Sequence, residues 1–171
     1  MKPAVVRLRP HHLLCSLGFR GKGKADRFTA NMAAIVTGRL RAPDGGRTVI
    51  EIAAAGDDIC TPCARRRGTR CTEQVRIAAL DARHAARLGL VPGDRLTWAA
   101  ALRRIRERVN PDDLDQLCRG CAWLPVGLCK DAVRELGQPR PDPALWPKRR
   151  RPGRDRAAPD PAGTPAGPEP V

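Results

Sequence analysis

The chain has 171 residues, with 32 Lys and Arg against 18 Asp and Glu, for a formal net charge of +14. No run approaches the ~20 apolar residues that span a bilayer, and residues 1–7 lack the apolar segment and cleavage site of a signal peptide, so a cytoplasmic protein without membrane insertion or classical secretion is expected. Aromatic residues are only 3%, with no Tyr, which leaves an aliphatic core and something non-hydrophobic to hold the fold, and seven cysteines are the candidate.

In chain order, residues 5–8 read as a strand. Pro10 then suits the first turn of a helix that carries His11, His12 and Cys15, with either histidine one turn from the cysteine. Phe28, Met32, Ile35, Val36 and Leu40 follow helical spacing, with Gly38 as the weak point, and the β-branched run at 48–53 reads as a second strand. A helix is expected over 72–88, stopping at Gly89. Thr97 caps another whose Trp98, Leu102, Ile105 and Val109 form one apolar stripe. Asn110-Pro111-Asp112-Asp113 is a helix start, with Pro at the first helical position and acids in the first turn. His84 sits between Leu80 and Leu88 on a helix face and reads as a satisfied packing residue. Asp57-Asp58 and Asp112-Asp113 read as caps and turns. Ten of the 17 prolines fall in 139–171, together with the basic knot Lys148-Arg149-Arg150-Arg151-Pro152-Gly153-Arg154. The expected organisation is a mainly α, metal-stabilised single domain at 1–138 with one or two short strands, followed by a disordered Pro-rich tail at 139–171.

The cysteines fall into Cys60-x2-Cys63-x7-Cys71 and Cys118-x2-Cys121-x7-Cys129. A C-x2-C turn puts two sulfurs on one side of a tight loop, and a distal third closes a site, so the repeated spacing points to metal. Two triads need two more donors to make two four-coordinate sites, and Cys15 with His11 or His12 would supply them. Zinc held by two C-x2-C knuckles and an iron–sulfur cluster both remain open on spacing alone. Arg65, Arg66, Arg67 and Arg70 are placed to offset an anionic site, and Trp123 to shield it from water.

The motifs Arg9-Pro10-His11-His12-Leu13-Leu14-Cys15, Gly18-Phe19-Arg20-Gly21-Lys22-Gly23, Asp57-Asp58-Ile59-Cys60 and Cys118-Arg119-Gly120-Cys121-Ala122-Trp123, with Cys129, resemble a family of short bacterial and archaeal proteins of unknown function labelled as iron–sulfur-binding. The resemblance covers roughly residues 7–136 and implies iron–sulfur over zinc, without naming a reaction or substrate. The expected function is therefore iron–sulfur binding for electron transfer or redox sensing with a redox partner, Cys15, Cys60, Cys63, Cys71, Cys118, Cys121 and Cys129 being the candidate ligands and no catalytic motif being visible. One alternative is a zinc-stabilised nucleic-acid-binding module, for which basic body and tail would supply weak, nonspecific polyanion affinity but few aromatic stacking platforms. Another is a thiol–disulfide oxidoreductase using Cys60-Thr61-Pro62-Cys63 or Cys118-Arg119-Gly120-Cys121, which would require a strand–helix–strand context that the sequence hardly offers.

Overall fold

A computed structural model describes residues 5–21 and 26–137; the tail expected at 139–171 and the boundary at 138 lie outside the described residues. Strand β1 (Val6–Leu8) leads into helix α1 (Pro10–Gly18), followed by α2 (Asp26–Ile35), β2 (Val49–Ile52), a small hairpin of β3 (Arg66–Arg67) and β4 (Arg70–Cys71), α3 (Gln74–Leu88), β5 (Arg95–Thr97), α4 (Trp98–Arg108), α5 (Leu114–Leu117) and α6 (Leu128–Glu135). The mainly α expectation matches these six helices and few short strands.

The main sheet runs β1-β2-β5. Val6, Arg7 and Leu8 pair in parallel with Ile50, Glu51 and Ile52, a geometry that requires the intervening α1–α2 crossover. β5 pairs antiparallel with the other edge of β2. Strand alternation puts Val6, Leu8, Ile50 and Ile52 in the core, where they meet Leu13 and Leu14 of α1 and Ile105 of α4. β5 escapes sequence detection because its three residues carry one apolar side chain, Leu96, and the next residues already start a helix.

Several boundaries have clear causes. Pro10 occupies the first turn of α1, where its missing N–H costs nothing. The Gly38 weak point falls in a π-helical turn, Val36–Leu40, that continues α2. α3 begins at Gln74, two residues later than expected, because Cys71 and Thr72 finish the hairpin and the Glu73 N–H donates to Cys71 Sγ at 3.4 Å. Gly89 ends α3 with φ +64°, a left-handed conformation that glycine adopts without steric cost. Thr97 caps α4 by accepting the Ala100 N–H at 3.2 Å, and Asn110 with Asp113 closes a capping box whose first turn is 3-10, Pro111–Asp113, before α5. No helix among the described residues is long and apolar enough to cross a membrane.

Candidate metal centre

α1 starts with its first residues enclosed. The extended Arg9 and the Pro10 turn bring backbone and side-chain donors against Asp57, which is buried in the loop after β2. Asp57 Oδ2 accepts the Arg9 N–H at 2.6 Å and lies 2.6 Å from His12 Nδ1, while Oδ1 accepts the Cys60 N–H at 3.0 Å. Burial works to raise the Asp57 carboxyl, but the charge and hydrogen bond of His12 and the two backbone donors outweigh it, and the group titrates well below the ordinary range. An ionised carboxylate only accepts, so the proton in the 2.6 Å contact belongs to His12 Nδ1. Burial, reinforced by the Asp57 charge, pushes the Cys60 thiol up to about 12.

Among the described residues, His12, Asp57 and Cys60 form the group of three potential ligands whose donor atoms all lie within 4.8 Å of one another. Cys63 and Cys71 stay outside it. Cys63 closes its turn through an N–H to Cys60 O at 3.0 Å, and Cys71 is drawn away into β4, opposite Arg66.

A second carboxylate, Asp81 on α3, holds the other face of the same helix start. Its Oδ2 accepts from Arg9 Nε at 2.7 Å, and its Oδ1 lies 2.6 Å from His11 Nδ1. Burial first, and then the neighbouring His12, lower the His11 pKa to about 4. His84, also on α3, has Nδ1 2.8 Å from Leu80 O. A carbonyl can only accept, so Nδ1 carries the proton and Nε2 faces Cys118 Sγ, 3.5 Å away.

The remaining thiols meet elsewhere. Cys118 follows α5, Cys121 closes the next turn through an N–H to Cys118 O at 2.8 Å, and Cys129 lies in the first turn of α6. With Cys15 of α1 they line one small cavity, beside Leu14, Trp123, Leu124 and Lys130. Interaction with the Cys129 sulfur and then burial push the Cys15 thiol well above its ordinary range, while the same contact lowers Cys129. Burial raises Cys118 to about 12, the Cys129 and Cys121 sulfurs adding to it. α1 can approach α6 this closely because residue 18 is Gly: a Cβ there would stand 2.7 Å from Cys129 Sγ and 2.9 Å from its Cα.

Residues 23–127, more than half of the chain, match the family model described as Protein of unknown function (DUF1284). The chain belongs to that family. Neither the curated proteins nor the solved structures contain a match to it. The segment matched to the DUF1284 model holds Asp57, Cys60, Asp81, His84, Cys118 and Cys121, whereas the residues from Arg9 to Cys15 and Cys129 lie outside it.

The structure of this DUF1284 chain sends α1's histidines and its cysteine to different places. His12 faces Asp57 and Cys60, His11 faces Asp81, and Cys15 goes to the second triad. The two C-x2-C pairs do not share a centre either: Cys60 lies with His12 and Asp57, Cys118 and Cys121 with Cys15. Asp57 closes its turn on the Cys60 N–H as a turn residue and also meets His12, and His84 contacts a cysteine as well as the backbone. Arg9 and Asp57 had a signal as the first residues of two of the motifs quoted above, though not for their roles; Asp81 gave none, since its pairing is a tertiary contact. The arginines after Cys63 chiefly tie their own loop together. Arg65 pairs with Glu73, Arg66 donates to Gly68 O at 2.9 Å, and Arg67 to Ala64 O at 2.9 Å. Trp123 does line the cysteine cavity, 37% exposed.

Proposed function

We propose that the protein is a cytoplasmic iron–sulfur-binding protein of electron transfer or redox sensing, its cluster held by Cys15, Cys118, Cys121 and Cys129. The observation that carries this reading is the convergence of four thiols, from α1, the turn after α5 and α6, on one cavity with apolar neighbours. Four thiolates are the usual donor set of a cluster. A four-thiolate set can hold either zinc or a cluster, and the resemblance of the Arg9–Cys15, Asp57–Cys60 and Cys118–Trp123 motifs to proteins labelled iron–sulfur-binding supports the cluster. The contact with Cys129 opposes ionisation of the Cys15 thiol, and a cationic group between the two sulfurs would relieve that opposition. A bound cluster would supply one-electron chemistry; the chain contributes the thiolates, the His84 ring beside Cys118, and the partial cover of Trp123.

The test is anaerobic purification from iron-replete cells, with iron, acid-labile sulfide and zinc analysis and a visible spectrum. Brown protein containing iron and sulfide is expected, with both lost in Cys15→Ser and Cys118→Ser. Stoichiometric zinc without sulfide would replace this reading with a structural zinc site.

A further inference from the structure

The cysteine cavity leaves Asp57 unexplained. Its side chain is 0% exposed, and its partners are two backbone N–H groups and the His12 imidazole, whose charge lasts only while the ring keeps its second proton. The nearby Arg9 directs its Nε to Asp81 instead. A buried carboxylate is ordinarily compensated by an ion pair or a metal. Here a second potential anion, Cys60, stands beside it, and the imidazole supplies a neutral donor, all three ligand atoms lying within 4.8 Å. The arrangement is also built rigidly. Asp57 and Cys60 belong to one turn, closed by both the backbone oxygen and Oδ1 of Asp57 on the Cys60 N–H, and Asn31 of α2 ties that loop down through Asp58 O at 3.0 Å.

We infer that His12, Asp57 and Cys60 hold a single divalent ion of the zinc class, at a centre separate from the cysteine cavity. Two anionic donors and one neutral donor balance a dication. The mixed nitrogen, oxygen and sulfur set is foreign to magnesium and calcium, which take oxygen, and suits zinc or cobalt(II). Three protein donors leave one position of a tetrahedron for water, and His12, with 12% of its side chain exposed, and the partly exposed Cys60 leave the site short of full enclosure. On binding, the ion displaces the protons held by the Cys60 thiol and by the His12–Asp57 contact, and these pass to solvent.

The experiment is cobalt(II) titration of the full-length chain carrying Cys118→Ser, read by the thiolate-to-cobalt charge-transfer band, together with zinc and iron content of each variant as isolated. The band is expected in Cys118→Ser and absent when Cys60→Ser is added. His12→Gln or Asp57→Asn should weaken cobalt binding by roughly tenfold or more. Cys60→Ser alone should lose zinc while keeping iron and sulfide. Should Cys60→Ser fail to fold, His12→Gln and Asp57→Asn, checked by circular dichroism, carry the same comparison. A cobalt band unaffected by Cys60→Ser, or iron lost together with zinc in folded Cys60→Ser, would overturn the separate centre. Failure of the iron–sulfur reading would instead show as missing sulfide in wild type.

Discussion

At the scale of single residues, the most consequential contact is Arg9 with Asp81. Arg9 is 1% exposed, and its charge is answered by one carboxylate. Removing a partner from a buried pair costs about 3–5 kcal/mol because the remaining charge stays buried, whereas replacing both with apolar groups is far cheaper. Chemical denaturation should therefore show Asp81→Ala strongly destabilised and Arg9→Met/Asp81→Leu much less so; equal losses would mean that the pair is not the energetic unit. Burial raises the Asp81 carboxyl, but His11, by hydrogen bond and charge, and Arg9 outweigh it, leaving its pKa lowered. A depressed carboxyl contributes stability that is present above its unfolded value of about 3.9 and is lost as pH falls through the folded value. Acid titration of wild type should thus show a loss below about pH 4 that Asp81→Ala lacks. Such residues were hidden in the sequence for a physical reason. The roles of Arg9 and Asp81, and the contact of Asp57 with His12, arise only through tertiary pairing of residues far apart in the chain, whereas Pro10, Thr97 and Gly89 act within one helical turn and are readable locally.

At the scale of elements, arginines finish helices. Arg41 donates to Phe19 O, Ser16 O and Leu17 O, each at 2.9 Å, satisfying the carbonyls at the end of α1. Arg104 does the same for α3 through Gly89 O at 2.9 Å, and Arg83 of α3 reaches Leu117 O at 3.1 Å and Arg119 O at 3.0 Å around the Cys118 turn. Part of the basic excess that suggests polyanions is thus occupied by the protein's own backbone. Arg41→Ala should cost about 1.5–3 kcal/mol, the range for hydrogen bonds to a charged group, in urea unfolding; Arg41→Lys, a single donor point without the fork, should recover only part of it. Gly18 sets how α1 meets α6. Gly18→Ala is expected to lower stability by about 1–3 kcal/mol, since its methyl would collide with the Cys129 backbone as well as its sulfur. Metal content should fall with it, and unchanged loading would show that α1 has room to move. Helix existence was legible from periodicity and caps; the repeated cysteine spacing covers two different local structures, since 63–71 folds as a hairpin and 121–129 as a turn and helix.

At the scale of the whole molecule, an aliphatic core with few rings lies beside a cavity lined by four free thiols. Metal binding is linked to folding, so chelation or Cys118→Ser should lower the unfolding temperature together with cofactor content; calorimetry showing the same transition in metal-free protein would break that link. Cys15 follows the first strand, and Cys129 lies on the last helix described. A cofactor bridging them would act as a cross-link around most of the described residues. Closing a loop of about 100 residues removes roughly 4–5 kcal/mol of unfolded-chain entropy in the cross-link model. The order of synthesis is constrained too: α1 emerges from the ribosome early but has no complete thiolate set until α6 has followed. With the proposed cofactor, assembly of the centre would be a post-translational closing step, and a chain truncated before residue 129 would present Cys15 without its Cys129 partner.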